Sequence, residues 1–350
     1  MKKKTYLYTL LFFTILFVLF HFITWNILTK DLFIFKDNIS IGGLGRMSYL
    51  TKSLTLREDN QSLSNKHINY QKNTKVDIIT IGDSFSNGGA GGKNKYYQDY
   101  IATKYNLKVM NIQQSSKGFI ETVLILNKLG ILDKLKPKAI ILESVERYSI
   151  NRLAKNIDWN IRVGSNSLAF LKREYKHNVP VPLFINNLNY NALLYSFLYK
   201  YDDNAVFSKT YVANLSKKLF SCKDANKLLF YFEDLKYISL STQTSINLLN
   251  NNLNKLQKIL NEKNIKLYFL PAVDKYNLYS KYIENNRYKK SIFFEKLREL
   301  DKDYYLIDTK EILLKMLDNN ISDVYYSDDT HWSFKGSKEI FKETDFNKIK

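Results

Sequence analysis

The chain has 350 residues, 45% of them hydrophobic and 25% charged, a balance that supports a buried core and excludes a wholly disordered protein. Twelve glycines and four prolines exclude collagen-like and proline-rich classes, and the single cysteine, Cys222, excludes an intramolecular disulfide and a cysteine-based zinc site. Lys and Arg number 53 against 34 Asp and Glu, a formal charge of +19 that favours anionic partners without choosing among them, while the scattering of the lysines along the chain fits compositional bias equally well.

At the chain start, Lys2, Lys3 and Lys4 precede an uncharged stretch over residues 5–28 dominated by Leu, Phe and Ile. A run of about 20 apolar residues crosses the hydrocarbon core as a helix. Tyr6 and Tyr8 sit at one end and Trp25 at the other, where amphipathic rings prefer the membrane interface. The cationic end is expected to stay in the cytoplasm, leaving the rest of the chain on the extracytoplasmic or periplasmic side of the inner membrane. A cleaved signal peptide is the competing reading, but the run is longer than the usual apolar segment and no small-x-small site follows it. Residues 29–75, with Gly42, Gly43 and Gly45 and a polar tail from Arg57 to Lys75, read as a linker.

Residues 76–81, Val-Asp-Ile-Ile-Thr-Ile, have the pattern of a buried strand. They run into Gly82-Asp83-Ser84-Phe85-Ser86, a further glycine-rich turn, and a helix-like stretch from Asn94 to Tyr105. A strand, a glycine turn and a helix stand a serine hydroxyl at the carboxyl end of a sheet, close to backbone N–H groups able to hold an anion. A capped turn is the plain alternative for Asp83-Ser84, and the segment lacks the Lys-Ser/Thr of a phosphate-binding loop. Further strand-like runs lie at residues 108–112, 138–143, 265–270 and 304–307. Residues 243–262 form an amphipathic helix with Leu248, Leu249, Leu253, Leu256, Ile259 and Leu260 on one face.

A serine nucleophile needs a base within hydrogen-bond reach, and the base needs an orienting carboxylate. Near the other end of the chain, His331 stands beside Asp328 and Asp329 on one short segment. His21, His67 and His177 have no such neighbours in sequence, and nothing points to a metal or a cofactor.

Gly82-Asp83-Ser84-Phe85 after a strand, with Asp-x-x-His near the C-terminus, resembles the SGNH (GDSL-type) hydrolase superfamily. That resemblance implies a three-layer α/β/α fold with a parallel sheet over about residues 76–350, preceded by the transmembrane helix at residues 1–28. Thr330-His331-Trp332, Val145-Glu146-Arg147-Tyr148 and the segment from Pro271 to Tyr279, with Lys275, are together similar to the SGNH-like domains of membrane-associated polysaccharide O-acetyltransferases of the alginate- and peptidoglycan-acetylation type. The implied activity is serine-dependent acetyl transfer to a polysaccharide hydroxyl, with a multi-spanning membrane-bound O-acyltransferase as partner and acetyl source. The superfamily's Gly-x-Asn-Asp block is absent: Glu143-Ser144-Val145-Glu146-Arg147 stands at the matching strand end. A second block is matched only approximately by Asn111 through Gly118, so the backbone N–H groups of Ser84 and Gly118 are the candidates for an oxyanion hole. Superfamily spacing selects Asp328 to orient His331; the His-Trp branch selects Asp329, the other aspartate then capping the following helix. Arg147, Trp332, Lys275 and Asn111 complete the candidate substrate or oxyanion set, with Arg147 equally open to a structural pairing with Glu143 or Glu146.

Residues 149–240 are too long for a simple crossover and carry many aromatics, including Trp159, Phe170, Tyr175, Tyr195 and Tyr199. They are expected to form a helical subdomain with its aromatics in the core, with helices near residues 191–201 and 224–235; a glycan-binding wall is the alternative. An esterase of the same superfamily, with water as acceptor, and an inert membrane-tethered glycan-binding protein remain the alternative functions. Nucleic acid is not an expected partner, because no basic motif accompanies the predicted export.

Overall fold

The computed structural model describes residues 3–33, 35–36, 39–50, 57–173 and 182–349, so Lys2, Tyr175 and His177 lie outside the described residues. The chain is an α/β protein with an N-terminal apolar helix. Helix α1, Lys3–Thr24, continues in other helical forms to Phe33, and the whole is long and apolar enough to cross a membrane.

The central sheet has six strands: β1 (Ile68–Asn69), β2 (Ile78–Gly82), β3 (Val109–Gln113), β4 (Ala139–Val145), and, after a hairpin of β5 (Thr210–Asn214) and β6 (Lys227–Tyr231) that stands apart, β7 (Lys266–Ala272) and β8 (Tyr305–Leu306). Their order across the sheet is β8-β7-β4-β2-β3-β1, and every pairing is parallel. All five residues of β2 and all seven of β4 are buried. Successive side chains on a strand point to opposite faces, so both faces of the sheet are covered, as a parallel sheet requires.

Helices supply the cover. Helix α2 (Gly43–Ser48) packs on the hairpin. Helix α3 (Tyr97–Tyr105) lies on β3 and meets α9 (Phe334–Glu343), which meets α8 (Thr309–Asp318). A second group comprises α4 (Phe119–Lys128), α5 (Glu146–Leu153) and α7 (Gln243–Asn261), with α7 also on β7. Between α5 and α7 the chain makes α6 (Leu188–Leu198). Thr242 starts α7 by accepting the Ser245 N–H at 3.2 Å, satisfying a donor the first helical turn leaves open.

The chain runs from β2 to β3 on one side and then back across β2 to β4 on the other. This reversal opens a crevice at the carboxyl end of β2, the position where open α/β sheets bind ligands. Ser84 follows β2 by two residues.

Two expectations differ from the structure. Residues 224–235 were expected as helix, but Lys227–Tyr231 is a strand paired antiparallel with Thr210–Asn214. A short apolar run has no decisive period, and its pairing partner lies across a turn. Residues 41–48 and 57–69 are not a free linker: Leu44, Arg57 and Leu63 are buried, and β1 pairs with β3.

On α7, Leu253 is fully buried whereas Leu248, expected on the same face, is 42% exposed. Leu253→Ala is expected to cost about 2–5 kcal/mol of unfolding free energy and Leu248→Ala no more than about 0.5 kcal/mol, read from urea denaturation of the two variants. Equal losses would mean that α7 does not bury Leu253 in preference to Leu248.

Candidate active site

Strand β2 ends in Gly82 because no side chain fits there: a Cβ would collide with Ser86 Oγ and the Glu143 carboxylate. Glu143 Oε2 accepts the Asp83 N–H at 2.8 Å, the Ser86 hydroxyl at 2.9 Å and the Ser86 N–H at 3.3 Å, which pins the turn to the adjacent strand β4. Asp83 in turn accepts the N–H groups of Phe85 at 3.1 Å and Val145 at 3.0 Å and pairs with Arg152 at 2.5 Å. Burial and the nearby Asp83 carboxylate push Glu143 well above the ordinary carboxylate range; Asp83 is itself buried but held low by Arg152 and the N–H donors. Two neighbouring acids shifted in opposite directions thus brace the turn.

On this turn Ser84 meets His331. The Ser84 hydroxyl and His331 Nε2 are 2.7 Å apart, and His331 Nδ1 lies 2.7 Å from Asp329 Oδ1. Ser84 and His331 are partly exposed; Asp329 is buried. Burial disfavours the ionised form of Asp329, but the charge and hydrogen bond of His331, with Arg57 and Arg46 nearby, hold it below the ordinary carboxylate range. A carboxylate on Nδ1 fixes the ring as the Nδ1–H tautomer, leaving the Nε2 lone pair toward the Ser84 hydroxyl. Gly89 closes over the pair: its N–H donates to Ser84 O at 2.8 Å, and a Cβ there would lie 2.7 Å from His331 Nε2 and 2.9 Å from Ser84 Cβ.

The two aspartates have separate tasks. Asp328 is fully buried and does not cap the following helix, which Ser333 caps instead. It accepts the Gly42 N–H at 2.8 Å just before α2 and pairs with Arg57 at 2.9 Å. Arg57 also reaches Asp329 at 3.4 Å and donates to the carbonyl of Ala90 in the serine loop, with its guanidinium 4.2 Å above the Tyr326 ring. Burial disfavours this cation, yet Asp328 and Asp329 raise it above its ordinary value. A Cβ on Gly42 would lie 2.7 Å from both Arg57 and Asp329 Oδ2, so the glycine permits the close approach. Arg57 was the residue that sequence reasoning missed; among polar neighbours in a stretch read as a linker, it carried no signal of its own.

Four candidates occupy other positions. Lys275 is fully buried and donates to the carbonyls of Tyr326, Ser327 and Asp329 at 2.6, 2.8 and 3.0 Å, so it shapes the acid-bearing loop from beneath and offers no surface to substrate. Burial pushes its ammonium down to about 7, against the pull of Asp328 and Asp329. Trp332 is buried against Phe85, with ring centroids 4.5 Å apart, and is core. Arg147 pairs with neither Glu143 nor Glu146 but bridges Asp234, at 3.2 Å, and Asp274, at 2.5 Å; the brace locks the insertion to the end of β7. Asn111 lies buried below the loop and donates to Asn87 Oδ1 at 2.9 Å and Ser86 O at 3.3 Å.

Of the two proposed oxyanion donors, the Gly118 N–H is turned to the Ser115 carbonyl at 3.3 Å. The N–H groups of Asp83, Phe85 and Ser86 are likewise engaged, whereas none of the described residues accepts from that of Ser84. A cavity of about 380 Å³ beside the Gly118 turn is lined by Ser115, Lys117, Phe170 and Arg173, and includes neither Ser84 nor His331.

Glu143 supplies a pH test. Its folded form keeps a proton above the pH at which an unfolded glutamate loses it, so its stabilising contribution is complete below the unfolded value and disappears as pH rises through the folded one. Glu143→Gln keeps an acceptor for Asp83 and Ser86 without the ionisation. As pH rises from the range in which an unfolded glutamate ionises, the urea midpoint of the parent chain is expected to fall relative to that of the variant; parallel profiles would show that the Glu143 carboxyl is not shifted upward in the fold.

Compared with known proteins, the chain matches no family model, no curated protein and no solved structure.

Proposed function

We propose that the protein is a membrane-anchored, serine-dependent O-acyltransferase that moves an acetyl group to a hydroxyl of a cell-envelope or secreted polysaccharide. The observation that carries this reading is the unbroken hydrogen-bonded chain from Ser84 through His331 to Asp329 at the carboxyl edge of a parallel sheet. The geometry suits a triad in which His331 Nε2 takes the Ser84 proton as Oγ attacks the acyl carbonyl. The tetrahedral oxyanion that forms is met by the Ser84 N–H, and Asp329 stabilises the imidazolium. Collapse expels the donor's leaving group, which takes the proton from His331 and leaves acetyl-Ser84. A sugar hydroxyl then gives its proton to His331 and attacks the ester; a second collapse returns the proton to Ser84 and releases the acetylated sugar. The same steps with water describe an esterase.

The resemblance of the Gly-Asp-Ser and Thr-His-Trp segments to the SGNH acetyltransferases supports a sugar acceptor and a multi-spanning acyltransferase as donor. The apolar helix supports the same placement. Its far end is built into the folded domain, because His21 is buried and its Nδ1 meets Asn189 Nδ2 at 2.8 Å. That packing favours retention of the helix as an anchor over its removal as a signal sequence; the lysines that precede the apolar run favour the domain on the extracytoplasmic side.

Full-length protein in vesicles, offered a chromogenic acetyl ester and an oligosaccharide acceptor, is expected to yield acetylated oligosaccharide; free acetate alone would make it an esterase. Ser84→Ala should abolish both, and a variant with unchanged turnover would end the proposal. Asp329→Asn should lower turnover by about 10⁴-fold with the fold intact, because the imidazole tautomer is lost. Asp328→Asn should instead lower the melting temperature and cost far less turnover, since Asp328 serves α2 and Arg57 rather than His331.

Gly89→Ala tests the fit of the loop over the pair. The added methyl must displace His331 or Ser84, so turnover should drop by about 10²-fold, as small misplacements of catalytic groups do, without a matching loss of stability. Full activity would mean that the loop yields freely.

A further inference from the structure

The insertion presents an apolar surface outward. From Leu183 to Tyr199 the chain carries no Lys, Arg, Asp or Glu, although a quarter of its residues are charged. Helix α6 lies in this stretch with Asn189 and Ala192 buried and with Tyr190, Leu194 and Phe197 exposed by 47%, 43% and 55%. Their spacing of three to four residues makes one stripe, so the apolar face of the helix is turned away from the core. Leu183, 84% exposed, precedes the stripe, and Phe207, 57% exposed, follows it. Scattered apolar residues on a surface need no explanation, but a continuous group of this kind marks a binding surface.

The position of α6 says what covers it. The helix is fixed to the end of α1: Asn189 binds His21, accepts the Thr29 hydroxyl at 2.5 Å, and the Phe20 and Tyr190 rings stack at 4.7 Å. His21 follows Lys3 by 18 positions, which is about 27 Å along a helix, close to the roughly 30 Å of a bilayer's hydrocarbon core. The contact with α6 therefore falls where α1 would leave the hydrocarbon. Exposed Lys30, Lys200 and Lys209 follow the two apolar stretches, in the place where cations meet lipid headgroups.

We infer that residues 183–207, with α6 at their centre, form a foot that lies in the lipid interface beside α1, with the exposed stripe in the upper acyl region. The bilayer is the occupant because the stripe begins at Tyr190, stacked on Phe20 of a helix already apolar enough to span one, and it combines aromatic and aliphatic side chains in a stretch without charge. The inference rests on the retention of α1 as a span, and the experiment separates the two.

Full-length chain carrying Cys222→Ser receives one cysteine at Leu16, Leu194, Phe197 or Lys258, is labelled with an environment-sensitive fluorophore, and is reconstituted in vesicles of phosphatidylcholine and phosphatidylglycerol containing acyl-chain quencher lipids. Labels at 194 and 197 are expected to be quenched several-fold more than that at 258, and from a shallower depth than that at 16. Quenching at 16 with none at 194 and 197 would overturn the foot while leaving the span. No quenching at 16 would remove both. Self-quenching at 194 that grows with protein density, with no response to the lipid quencher, would assign the stripe to a second copy and also overturn the foot. The unsubstituted chain gives a reading free of folding defects: a photoreactive acyl chain should cross-link within α1 and residues 183–207 and not within α7. Loss of acyl transfer has no bearing on either readout.

Discussion

One buried cation holds the site together. Arg57 lies between the carboxylates of Asp328 and Asp329 and reaches across to the carbonyl of Ala90, so a single guanidinium joins the N-terminal segment, the serine loop and the histidine loop. The histidine loop is far from the other two in sequence, and among the described residues no strand pairing connects the three directly. Taking Arg57 out of water costs several kcal/mol, and the cost is recovered only because two carboxylates, a carbonyl and the Tyr326 ring surround it. Without the cation, two neighbouring carboxylates would face each other in a low dielectric, and one would take up a proton. Against its burial, Asp329, which orients His331, is held below the ordinary carboxylate range by His331 itself first and by the Arg57 cluster second.

The close approach that makes this possible is written in glycines rather than in charged residues. Gly42 lets backbone come within hydrogen-bond distance of Asp328 while Arg57 and Asp329 crowd the same point. Gly92, at φ +81°, takes a left-handed turn beside the Arg57 backbone. Gly89 does the same steric service over Ser84 and His331 without a left-handed backbone. Lys275 completes the frame from below, where its three donors collect three carbonyls of the loop that bears the acid. A polar loop that would otherwise leave these carbonyls unpaired in the interior is thereby satisfied.

What could be read in the sequence was what is local. The apolar run of β2, the glycine turn after it and the stripe of α7 each announce themselves within a window of a few residues, and Ser84, His331 and the pair Asp328 and Asp329 stood out because chemistry demands such side chains together. The structure brings Ser84, His331 and Asp329 within hydrogen-bond distance and gives Asp328 another partner. Long-range satisfaction was not legible. Nothing around Arg57 distinguishes a surface arginine from one that will be buried, because its partners lie about 270 positions away. Arg147 looked toward Glu143 and Glu146 because they were near in sequence, whereas its carboxylates come from a short helix in the insertion and from the end of β7. Gly118 had the right residue type, but its N–H closes its own turn. The strand at Lys227–Tyr231 needed knowledge of the strand it pairs with.

The insertion also ties the apolar surface to the site through contacts with little slack. Asn191 of α6 donates to the Tyr49 hydroxyl at 3.0 Å, Tyr49 ends α2, and the Thr210 hydroxyl at the start of the hairpin donates to Leu44 O at 3.2 Å. The Gly45 N–H then donates to the Asp328 carbonyl at 3.0 Å, one residue from the acid that orients His331. Each link is a hydrogen bond between packed groups, and close-packed interiors transmit displacement rather than absorb it. A surface held at α6 therefore fixes the orientation of α2 and, through it, of the loop that carries Asp329 and His331. On that frame the serine is held at a set height and angle above whatever the apolar face rests on, the positioning that the proposed acyl transfer would use.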